Sequence, residues 1–346
     1  MSGAVLLLAV VLLVPLVLLR TVKLVRRRAP LPGGLLPPVG SPTELEASAL
    51  LTALRRRGAV AAITVIVIVT AAVAVQTWWP AGVGLPILLA PAAALLGLGG
   101  VYALWPLPED PAGARTPVSS STHADTATRR ARLFGPSWGY ALPALLMSGT
   151  VLAALAGGLL ATTDESGRSR EFPYIVEAVP GAQDAGLAAG ATGPFPGWYY
   201  GAPVIGILVL SALLLGWALH RNARRPRLRG EGLVAFDNSV RTCVAFVVSA
   251  GASALAALQL ALLCVMAGQA VIIAAQNIPG GAGIDGAAMP STVDGPTWWM
   301  GLGLMALALL LLVVAAALGA TFLAWILGNR RTTADGASHL RLGDVR

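Results

Sequence analysis

Charge is scarce in this chain, and what there is lies in clusters. Only 12% of the 346 residues are Asp, Glu, Lys or Arg, against 56% hydrophobic ones; a folded chain so composed meets lipid rather than water alone. Histidine occurs three times, as His123, His220 and His339, and cysteine twice, as Cys243 and Cys264. Scattered histidines without a cysteine cluster give no zinc spacing, and no pair of them lies within apolar runs where haem b would need its ligands. The two cysteines fall in one predicted helix, roughly 31 Å apart at 1.5 Å per residue, which excludes a bond between them. Lysine is rarer still. Of 24 basic residues only Lys23 is a lysine, which together with the Ala, Gly, Val and Leu content suggests a GC-rich bacterial genome and a bacterial plasma membrane.

Catalytic signatures are missing as well. There is no G-x-x-x-x-G-K-[ST] loop for a nucleotide, and Gly251-Ala252-Ser253 runs on into Ala254 and Leu255, so it is not the G-x-S-x-G elbow of a serine hydrolase. The expectation is a non-enzymatic protein with no cofactor and no metal. The formal net charge of +8 does not indicate nucleic acid, because the basic residues flank apolar runs, where they face lipid headgroups. The bilayer is therefore the expected partner.

What the chain does have is long apolar runs. Crossing about 30 Å of hydrocarbon takes about 20 residues as helix, and seven stretches reach or approach that length: 3–19, 59–77, 82–105, 139–162, 202–220, 242–272 and 299–327. None carries a charge in its middle, and backbone groups at that depth must be satisfied within the segment, so helices are expected rather than strands. The fold class is an all-α integral membrane protein, a seven-helix transmembrane bundle. Basic residues follow the first run rather than precede it, the mark of an N-out anchor. Threading seven spans from that start puts 22 of the 24 basic residues in the cytoplasm and leaves only Arg168 and Arg170 outside, an N-out/C-in topology.

Three parts follow. Residues 1–58 form an anchor helix, a Pro/Gly linker and a juxtamembrane helix, opened by the capping box Ser41-Pro42-Thr43-Glu44. Residues 59–328 form a six-helix region, with a flexible cytoplasmic loop expected over 106–133, and residues 329–346 form a flexible tail. The six helices read as three parallel hairpins. Trp78-Trp79, Trp198 and Trp298-Trp299 mark their external turns, while Trp105, Trp217 and Trp325 stand near the cytoplasmic ends of the return helices. All eight are candidate interfacial anchors.

Small residues recur every fourth position at Gly149, Ala153 and Gly157 and at Ser249, Ser253 and Ala257, candidate faces for close helix packing within the chain or against another membrane protein. Pro86, Pro91, Gly97, Gly99 and Gly100 make the third span the least regular, with a kink expected. Gln259 stands out among the mild polar residues of the spans, since its amide cannot hide against its own helix as a hydroxyl does. Outside, Phe172-Pro173-Tyr174-Ile175-Val176 reads as an extended segment over the helix ends. The sequence thus favours an accessory or scaffold component of a membrane complex, then a permease for an uncharged or apolar compound, and least a lipid-modifying enzyme.

Overall fold

The computed structural model describes residues 42–105, 134–135, 137–176, 188–225, 233–276 and 294–328. The first expected span, the linker, the 106–133 loop and the tail lie outside them. Six helices dominate: α1 (Pro42–Trp78), α2 (Leu85–Leu104), α3 (Ser137–Leu160), α4 (Trp198–Arg224), α5 (Leu233–Gln276) and α6 (Gly295–Gly328). Each is long and apolar enough to cross a membrane, which supports a multi-pass membrane protein.

The helices alternate in direction. At one end, which we call the arginine end, Arg57 of α1 donates to the Tyr102 carbonyl of α2, and Arg241 near the start of α5 donates to the carbonyls that close α4. At the other end, Tyr200 at the start of α4 donates to the Val83 carbonyl just before α2. Helix α5 occupies the centre. Its small side chains, from Cys243 through Ala252 and Ala257 to Ala261, are buried, and they let α2, α3 and α6 approach closely. Where α5 crosses α6, a Cβ on Gly268 would stand 3.0 Å from the Gly301 carbonyl oxygen.

Two helices extend beyond their hydropathic cores. The expected juxtamembrane helix and the second span are one helix, α1, which begins at Pro42 and runs 37 residues. Nothing between Arg57 and Val60 breaks it, because a lone glycine costs a helix only about 1 kcal/mol. Helix α5 starts at Leu233 rather than 242 and draws Asp237 and Arg241 into the packed protein. In α2, Pro86 sits in the first turn, where the helix has no donor to lose, and Pro91 lies inside. Beside Pro91, the Ala92 N–H donates at 3.0 Å to Oε1 of Gln259 on α5. The odd amide of the spans therefore serves the backbone of another helix, at the place where a proline disturbs it.

Between α3 and α4 the chain forms a small antiparallel sheet of β1 (Thr162–Thr163), β2 (Ser169–Val176) and β3 (Ala188–Thr192), with β2 central. Phe172 stacks on Phe195 at 5.1 Å, and this pair packs against Ala270 and Val271 of α5. The Thr192 hydroxyl donates to the Ala270 carbonyl at 2.9 Å. The extended segment read from Phe172 to Val176 is β2, and it is fastened over the helix ends. Asp164 holds the β1–β2 turn: it accepts from the backbone N–H groups of Ser166 and Arg168 and pairs with the Arg170 guanidinium. These contacts, the Arg168 N–H foremost, hold its carboxyl below the ordinary value of 3.8.

Candidate functional site

The predicted packing faces lie inside the protein. A Cβ on Gly149 would touch Leu260 of α5 at 3.4 Å, while one on Gly157 would stand 2.2 Å from the Pro196 carbonyl oxygen. Ala153 packs into the cluster around Tyr200 and Leu263. Ser249, Ser253 and Ala257 are all buried, and neither serine hydroxyl finds a hydrogen-bond partner among the described residues. The eight tryptophans divide between the two ends of the bundle. Trp78, Trp79, Trp198 and Trp299 are exposed at the sheet end, where Trp298 stacks edge-on against Trp299 at 5.1 Å. At the arginine end Trp105 and Trp217 are exposed, whereas Trp325 is buried and stands inside the protein rather than on its surface.

The structure adds a group of charges that hydropathy did not reveal. Asp237 and Arg241 are spaced i, i+4 on α5 and paired at 2.8 Å with about 1% of each side chain exposed. Arg225, just past α4, pairs with the other Asp237 oxygen. Arg241 also donates to the carbonyls of Asn222, Ala223 and Arg225. The first two are among the last carbonyls of α4, which have no intrahelical donor, and the third follows the helix directly, so one guanidinium caps one helix from another. Asn222 returns the contact, its amide donating to the Arg241 carbonyl at 3.1 Å. Arg241 lies roughly 27 Å along α5 from Gln259, whose partner Ala92 is near the middle of α2. That distance is more than half of the about 30 Å of hydrocarbon that a span crosses, so a bilayer centred on Gln259 leaves these charges outside the hydrocarbon, where burying them costs less.

Next to this cluster is a cavity of about 380 Å³ whose walls include Arg57, Tyr102, Trp105, Trp217, His220, Arg221, Arg224 and Arg225. Arg57 is only 5% exposed, yet its Nε is buried without a hydrogen-bond partner. Its guanidinium lies over the Tyr102 ring, 4.7 Å from the centroid, and donates to the Tyr102 carbonyl. Arg221 donates to the Ala103 carbonyl at 2.7 Å. Each of these arginines thus spends one donor on the C-terminus of α2. Among the described residues, no carboxylate forms an ion pair with Arg57, Arg221 or Arg224; Asp237 is engaged by Arg225 and Arg241. Donors and positive charge outnumber acceptors on these walls.

Sequence reasoning took Arg55 to Arg57 and Arg221 to Arg225 as flanks facing headgroups, and it passed over Asp237 and Arg241. The available signal was the Asp-x-x-x-Arg spacing just before the sixth apolar run. Among the described residues no group of His, Cys, Asp and Glu could hold a metal ion. No protein-family model matches the sequence, and comparison with curated proteins and with solved structures finds no match.

Proposed function

We propose that the protein is a non-enzymatic component of a membrane complex, an accessory or scaffold subunit held by seven spans in a bacterial plasma membrane, with its N-terminus outside. The outer half of α1 carries this reading. Leu50, Leu51, Leu54 and Ala61 are buried, and Thr64 and Ile68 lie against Gly97 of α2. Beyond them Val69, Thr70, Ala71, Val73, Ala74 and Val75 are exposed, and only 11% of the most apolar window of α1 is buried within the chain, the lowest share of the six spans. The surface is apolar and mostly of small or β-branched residues, a relief that lets a second transmembrane helix approach closely.

The interior supports this reading over a permease. Leu95, Leu98, Val204, Leu208 and Val247 fill the space between the hairpins at 2% exposure or less, where a permease needs a cavity. The test is site-specific crosslinking in native membranes from Val73→Cys on α1, with Leu152→Cys on the exposed face of α3 as control. A stoichiometric adduct with one other membrane protein from Val73→Cys alone is the expected result. Equal, non-stoichiometric labelling from both positions means that lipid covers α1, and the reading fails.

A further inference from the structure

The cavity at the arginine end is built for an anion, and its chemistry narrows which one. A guanidinium carries five N–H donors; Arg57 directs one to Tyr102, Arg221 directs one to Ala103, and Arg57 Nε has none to give to. Capping α2 therefore accounts for the position of both arginines but leaves most of their donors unused. Arg224 adds a third charge without a carboxylate partner among the described residues. Several guanidiniums converging on one space suit a tetrahedral oxyanion, since planar forks of donors match phosphate oxygens two at a time. The remaining walls include Trp105 and Trp217, 39% and 50% exposed, the amphipathic side chains that sit at headgroup depth.

We propose that this cavity is a phosphate-binding site, filled by the phosphate of an anionic lipid headgroup or of a soluble phosphate compound, and held chiefly by Arg57, Arg221 and Arg224. In the orientation proposed above it faces the cytoplasm, where the leaflet is rich in anionic lipid. The site rests on the charge and geometry of the cavity, independently of whether α1 has a partner.

The full-length protein is reconstituted into nanodiscs of phosphatidylcholine with and without phosphatidylglycerol, and retained lipid is counted by native mass spectrometry. In parallel, its melting temperature in neutral detergent is compared in inorganic phosphate and in chloride of equal ionic strength. The variant Arg221→Gln/Arg224→Gln changes two exposed side chains but also removes the Arg221 contact to the Ala103 carbonyl. It is therefore compared with the wild type only once gel filtration shows the same elution, and Arg224→Gln alone, which leaves that contact in place, is measured beside it. Arg57→Gln is read only if it elutes as the wild type does. One phosphatidylglycerol retained per chain, held about tenfold more weakly in the double variant as expected for losing a charge-assisted hydrogen bond, supports the proposal with lipid as the source. Stabilisation by phosphate over chloride, lost in the variant and without lipid preference, supports it with a soluble source. Preference for neither overturns it, and so does a phosphatidylglycerol preference unchanged in the variant, which reports surface attraction alone.

Discussion

Two glycines on one face of α3 should respond to the same substitution with opposite sign. At Gly157 an added Cβ stands 2.2 Å from the Pro196 carbonyl oxygen and 3.0 Å from its carbonyl carbon. Ordinary contact begins near 3.4 Å, so the segment leading into α4 has to retreat by about 1 Å, and overpacking of that kind costs about 1–3 kcal/mol. At Gly149 the nearest atom is the Leu260 Cδ2 methyl at 3.4 Å, already an acceptable distance. There the alanine limits the backbone freedom of the unfolded chain and contributes about 0.4–1 kcal/mol. The same entropic gain applies at Gly157 and cancels in the comparison, so the gap between Gly157→Ala and Gly149→Ala is about 1–3 kcal/mol, or roughly 2–12 °C at 2–4 °C per kcal/mol. Melting in mild detergent, followed by the monodisperse fraction on gel filtration, measures it. A Gly157→Ala protein that melts at or above the Gly149→Ala protein would refute the close approach of α3 to Pro196.

Further expectations concern the buried polar contacts. Gln259→Leu leaves the Ala92 N–H beside Pro91 without its acceptor and should lower stability by about 1–3 kcal/mol, whereas Gln269→Leu, on an exposed position of the same helix, should leave the melting temperature unchanged. Asp237→Asn removes the buried carboxylate charge that Arg241 and Arg225 share and should destabilise by about 3–5 kcal/mol, seen as lost monodispersity at moderate temperature. In acid, the depressed Asp164 carboxyl contributes stability that is fully present above its ordinary value and lost as pH falls through the lower folded value. The melting temperature should drop in that window, and Asp164→Asn should flatten the drop.

The spans were legible because bilayer thickness acts directly on composition: 139–162 and 299–327 were expected where α3 runs Ser137–Leu160 and α6 runs Gly295–Gly328. Hydropathy cannot see polar residues that neutralise each other. Asp237 and Arg241 read as the solvated edge of a span, yet they are buried because each supplies what the other lacks and because α4 ends in unpaired carbonyls beside them. The candidate cavity was hidden for a related reason. Arg57, Tyr102 and Arg221 stand far apart in sequence on three helices, and only the alternation of those helices brings them to one end. Gln259 was singled out by its chemistry, but its partner Ala92 is 167 residues away, a pairing that no local pattern records.

Arg241 and Ala270 belong to the same unbroken helix. The first is locked into the end of α4, and the second accepts the hydrogen bond that fastens the sheet. Their separation along α5 is roughly 44 Å at 1.5 Å per residue, more than the thickness of the hydrocarbon they bracket. A helix of that length tilts or slides but does not shorten. Any tilt of α5 about its middle would carry Arg241 and Ala270 in opposite directions, as the two arms of a lever, and the cap on α4 and the fastening of β3 would move with them.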